Sequence, residues 1–63
     1  MDPNQAYEDW LLARTDNDRE AAVDAAEALA GWLKRGGFEP RGWTQQHRAE
    51  FVAWCDEHDV TGV

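Results

Sequence analysis

Residues 32–43 read WLKRGGFEPRGW, and the helix that must stop inside them divides the chain. Lys34 and Arg35 suit the last turn of a helix, where exposed carbonyls favour cations. Gly36 is then placed to take the left-handed conformation just past the end, Gly37 allows the chain to reverse, and Phe38 can fold back on Leu33 or Trp32. Pro40 cannot continue a helix, because its ring removes an N–H and clashes with the preceding turn. Thr44 is an N-cap for a new helix, with Trp43 before it as a staple against the stem of Arg48. A helix stop, a turn and a helix start thus follow one another in a single short segment.

Upstream, Ala22, Ala25, Ala26, Leu29, Trp32 and Leu33 recur at helical spacing and predict a helix over about 18–35, with Glu20, Asp24, Glu27 and Lys34 on its wet face. Asn17 followed by Glu20 reads as a capping box at its start, and Asp18 and Glu20 fall where the helix dipole favours anions. Asp2, Pro3 and Gln5 supply an N-cap acceptor, a preset φ and a capping-box amide, which predicts a first helix over about 3–14. Its expected buried stripe is Tyr7, Trp10, Leu11 and the stem of Arg14. Downstream of Thr44, the spacing of His47, Phe51, Trp54, Cys55 and His58 predicts a third helix over about 45–58. Residues 59–63 show no periodic burial and are expected to fray. The fold class is all-α: one compact three-helix bundle spanning residues 1–63, with a Gly/Pro loop between the second and third helices. Trp10, Trp32 and Trp54 are assigned to the core, and Trp43 lies between core and surface.

A domain of 63 residues buries only about 60% of the surface its unfolded chain exposes, so it is stabilised by a narrow margin. The single cysteine rules out an intrachain disulfide. Large aromatics take over that task, each burying roughly 150–250 Å², in a core otherwise built mainly from alanine. The net charge of −7 opposes approach to nucleic acid and to anionic membrane. No apolar run approaches the roughly 20 residues that span a bilayer, and MDPNQAY lacks the basic start and apolar stretch of a signal peptide. A cytoplasmic protein is expected.

Chemistry finds little footing. Cys55 and His58 have a workable spacing for two metal ligands, but His47 on the same face lies about 16 Å from His58 at the rise of an α-helix, and a closed zinc site needs four ligands. No metal or cofactor is expected. Cys55 with His58 as nucleophile and base would sit among Asp56, Glu57 and Asp59, whose charge raises the thiol's pKa and makes it less reactive. RGGFEPRG lacks the spacing and the Gly-Lys-Ser/Thr ending of a phosphate loop. The chain does not read as an enzyme.

Charge is unevenly spread. Lys34, Arg35, Arg41 and Arg48 against Glu39 give residues 34–48 a net +3, whereas eight acids against two arginines give residues 1–33 a net −6, and four acids give residues 49–63 a net −4. Arg and Trp dominate binding hot spots, so the expected contact surface comprises Lys34, Arg35, Phe38, Arg41, Trp43, Gln45 and Arg48, and its expected partner is another protein. The competing account of the same charges is that they only cap a helix and neutralise acidic neighbours. A second copy of the chain is a further candidate partner, through the alanine stripe of the second helix. Two other functions compete. Asp16, Asp18, Glu20, Asp24 and Glu27 could imitate the phosphates of DNA toward a DNA-binding protein, although any soluble amphipathic helix shows such a row. Gln45, Gln46 and Arg48 could address base edges, but about nine residues separate Arg35 from Gln45, where a helix-turn-helix joins its helices with three or four.

MDPN at the start and ALAGWLKRGGFEPRGW later resemble short acidic proteins of bacteriophages, plasmids and GC-rich bacteria. Those begin with Asp-Pro-Asn and carry a leucine and alanine helix ending in Trp-Leu, two glycines and Phe, with Pro and Trp following. The resemblance covers about a third of the chain and implies a mobile-element origin, hence a place in the host cytoplasm and a host protein as target. It implies no activity and no site residues. The third helix, TQQHRAEFVAWCDEH, departs from that pattern.

Overall fold

In the computed structural model, which describes residues 2–60, Asp2 begins the first helix as expected: its carboxylate accepts the Asn4 N–H at 2.9 Å. Three helices follow, α1 (Pro3–Thr15), α2 (Arg19–Lys34) and α3 (Gln45–Glu57). The all-α three-helix reading is borne out, with ends within one residue of those expected. Gln5 does not close a capping box; its amide donates to Asp9 one turn on, at 3.0 Å.

All three helices end in the same way. Asn17 (φ 57), Gly36 (φ 87) and Asp59 (φ 52) take the left-handed conformation. The N–H of the next residue then reaches back five positions, Asp18 to Ala13 at 2.8 Å, Gly37 to Trp32 at 3.0 Å and Val60 to Cys55 at 2.9 Å. These are Schellman caps, which satisfy carbonyls that a helix end would leave open. Two expectations are corrected by them. Asn17 finishes α1 and does not start α2, whose N-cap is Asp18, accepting the Ala21 N–H at 3.1 Å. Residues 59 and 60 are not frayed, because Val60 is buried beside the helix it closes; residues 61–63 lie outside the described residues.

Gly37 has a different task. A β-carbon there would run into the Trp32 indole, which lies across the turn and donates from Nε1 to the Phe38 carbonyl at 2.9 Å. Gly37→Ala is therefore expected to destabilise by about 1–3 kcal/mol, as overpacking does, and a urea titration followed by circular dichroism checks it.

The helices pack in two manners. α1 and α2 approach closely, because Ala6 and Ala13 on one and Ala22 and Ala26 on the other are buried with no bulk to hold them apart. α3 stands off, and aromatic rings fill the wider space. Trp10, only 2% exposed, meets Phe51 edge to face at 5.1 Å and Trp54 at 5.6 Å. The guanidinium of Arg14 lies 4.5 Å from the Trp10 ring centroid, a cation–π contact. Tyr7 and Trp43 extend the same set of rings, with Trp43 tilted on Phe51 at 5.6 Å and edge-on to Tyr7 at 5.2 Å.

The stripe of α1 differs from the expected one. Pro3, Ala6, Trp10 and Ala13 are buried, Tyr7 is half-buried, and Leu11 and Leu12 face solvent. With Trp10 and Ala13 pointing inward, the positions between them turn outward at about 100° per residue. Trp32 and Trp54 are half-buried and form the rim of the core.

Candidate protein-binding surface

The segment from Lys34 to Arg48 is held in place from both sides. On one, the Asn4 side chain at the start of α1 accepts the Arg41 N–H at 2.6 Å, across 37 positions of sequence. On the other, Trp43 wedges between Tyr7 and Phe51. Pro3 and Pro40 are both buried. The start of α1 and the segment around Arg41 thus meet in space. Asn4→Ala removes the acceptor and is expected to cost about 0.5–1.5 kcal/mol, with tryptophan emission shifting to the red as Trp43 loosens.

Thr44 begins α3 with a reciprocal cap. Its hydroxyl accepts the His47 N–H at 3.3 Å, and the His47 imidazole, through Nδ1, accepts the Thr44 N–H at 3.0 Å. Imidazole therefore takes the place usually filled by Glu or Gln. The same ring lies edge-on to Tyr7 at 6.4 Å, which joins the cap to the core. Trp43 does not act as the expected staple on Arg48; it turns to the rings of Tyr7 and Phe51, while Arg48 pairs with Glu39 at 3.4 Å. That pair is exposed and contributes little to stability.

With the backbone fixed, the side chains of Lys34, Arg35, Arg41, Gln45 and Arg48 stand in solvent. Phe38 is 66% exposed and only leans edge-on against Trp32, at 5.6 Å. Trp43 belongs to the core rim. The expected surface accordingly holds exposed cations and one exposed phenyl ring on a single segment, while Trp43 is turned to Tyr7 and Phe51.

Between the end of α2 and the start of α3 runs a groove of about 200 Å³ lined by Ala30, Leu33, Lys34, Arg48, Phe51 and Val52. It is smaller than the roughly 300–1,000 Å³ of small-molecule pockets. Periodicity points to Phe51 but not to Val52, which lies one turn beyond Arg48 on the groove side of α3. A second groove, between α1 and α2, gathers Asp9, Asp16, Asp18 and Asp24 around Leu12. Leu12 is 62% exposed.

Cys55 is buried among the helices. Burial first, and the neighbouring Asp56 carboxylate second, push its thiol up to about 11, so the group is protonated at neutral pH and is a poor nucleophile. His58 stacks on Trp54 at 4.1 Å and donates from Nδ1 to the Trp54 carbonyl at 3.0 Å. Among the described residues no cluster of three or more His, Cys, Asp or Glu side chains is arranged to hold a metal, and no helix is long and apolar enough to cross a membrane. No family model, curated protein or solved structure matches the chain.

Proposed function

We propose that this domain is a small protein-binding module that engages an acidic partner through the segment from Lys34 to Arg48. One observation carries the reading: in a chain of net charge −7, a phenyl ring is left 66% exposed on a segment that also holds four cations. An exposed aromatic side chain on a segment rich in cations has the composition of a binding hot spot for an acidic partner. The resemblance to phage and plasmid proteins adds that the partner is a host protein.

The test is a capture experiment from host lysate with wild type beside a Phe38→Ala, Arg41→Ala variant. Both side chains are exposed, and the Arg41 N–H that bonds Asn4 is retained, so the circular dichroism spectrum should be unchanged. Loss of a captured protein with the variant is expected; equal capture returns the segment to a capped turn.

A second reading, an acidic mimic of DNA, is favoured by the four aspartates that line the α1–α2 groove. Asp9→Asn with Asp24→Asn would abolish a mimic's action and leave the loop-mediated module intact. The exposed leucine among those aspartates speaks against mimicry, since a phosphate row has no apolar counterpart. Direct DNA binding through Gln45, Gln46 and Arg48 has least support, because the net charge of −7 opposes approach to a polyanion and the connection from α2 to α3 is longer than a helix-turn-helix allows.

A further inference from the structure

Among the described residues, four large apolar side chains are left in solvent: Leu11, Leu12, Phe38 and Val52. Two of them define faces of opposite charge. Leu12 projects from α1 with Glu8 and Asp9 about one turn earlier on the same helix, positions that share its face, and the α1–α2 groove adds Asp16, which caps α1, with Asp18 and Asp24. Val52 lies in the groove floored by Leu33 and Phe51, with Lys34 and Arg48 on its rim. One face is an apolar knob ringed by carboxylates, and the other is an apolar slot flanked by cations.

The two faces lie at opposite ends of α2. The Leu12 groove takes Ala21, Asp24 and Ala25 from α2, and the slot takes Ala30, Leu33 and Lys34, so the two occupy different halves of that helix. One copy therefore cannot close the two upon each other, but two copies can meet head to tail. The alanine stripe of α2, the surface sequence reasoning offers to a second copy, is occupied by α1, with Ala22 and Ala26 both buried.

We propose that the occupant of the α2–α3 slot is the Leu12 face of a second copy of this chain. This rests on the reading of the Lys34 to Arg48 segment as a surface for acidic partners and names one such partner. The contact is heterologous, with different patches on the two subunits, so it propagates into short chains or closes into a ring. The carboxylates around Leu12 exclude a symmetric contact of that face with itself, because like charges would be brought together without relief.

Sedimentation analysis of variants decides the matter. Wild type is expected to gain mass with concentration, past the dimer. Leu12→Glu and Val52→Glu, each shown by circular dichroism to be folded, are expected to be monomers alone, since each lacks one face. Mixed in equal amounts they should double in mass and stop at the dimer, because one intact knob and one intact slot remain between them. Arg48→Glu, at an exposed site, repeats the test should Val52→Glu fold poorly. A monomeric wild type, or a slot variant that assembles as wild type does, overturns the proposal. The binding reading fails separately, through equal capture by the Phe38→Ala, Arg41→Ala variant, which alters neither face.

Discussion

Trp10→Ala is expected to cost about 3–5 kcal/mol, the range for deleting a large buried aromatic. A chain of this length has about 3–9 kcal/mol of total stability, so one side chain holds a large share of it. The reason lies in what Trp10 touches: Phe51 and Trp54 on α3, Tyr7 on its own helix and the Arg14 guanidinium. Removing the indole takes away the filler that joins α3 to the close α1–α2 pair. Leu12→Ala, two positions along the same helix, is expected to change stability by no more than about 0.5 kcal/mol, because its side chain is already in solvent. Urea titrations of the two variants followed at the helical circular dichroism band check both values. Equal effects would place Leu12 in the core and shift the register of α1.

The second large effect comes from pH. In the folded protein burial and Asp56 raise the Cys55 thiol from 9.0 to about 11; once unfolded, the thiol returns to its ordinary value and ionises first. The unfolded state therefore binds fewer protons between those two values, and stability falls as pH rises through that window. The contribution is intact below about pH 9, and about 2 kcal/mol is lost by pH 11. The comparison is with Cys55→Ala, in which any other alkaline response persists and this share is gone. Urea midpoints at pH 8 and pH 11 for both proteins measure the difference. A parallel fall in both would mean the thiol ionises in the folded state as easily as in water. Buried at neutral pH, Cys55 should also resist alkylation until denaturant is added.

Much of this fold was legible because helix ends are written in local chemistry. Asp2 with Pro3, Gly36 with Gly37, and Thr44 each mark a boundary through groups close in sequence, and the structure places ends there. The register of α1 was harder to read. WLLAR offers two leucines and one alanine, and burial of the alanine follows from the close approach of α2, a tertiary fact that no single-helix period reports. Asn17 suits both an N-cap and a left-handed C′ position, and the choice is made by the Asp18 to Ala13 hydrogen bond. Val60 is one buried residue after a cap, too few to form a pattern. His47 fits the apolar stripe by spacing, yet its ring nitrogen closes the cap of α3.

The candidate surface divides in the same way. Lys34, Arg35, Arg41 and Arg48 stand out as a cationic run in an acidic chain, and the exposure of all four is consistent with that reading. Trp43 was ambiguous because tryptophan serves cores and interfaces alike; Tyr7 and Phe51 decide it. The Asn4 to Arg41 bond joins positions too distant in sequence for any local pattern to pair them. The slot with Val52 depends on how α2 and α3 are set against each other, which aromatic packing determines and helical periodicity does not.

The central claim, that the segment from Lys34 to Arg48 binds an acidic partner protein, is tested most directly by amide shift mapping of the labelled domain with the protein captured from host lysate. For the domain diluted to its monomer, the account predicts perturbations concentrated at Lys34, Arg35, Phe38, Arg41 and Arg48, with the amides of Asp9, Asp16 and Asp24 unmoved. Perturbations confined to those aspartates, with the cationic segment silent, would contradict it and make the acidic groove the working surface.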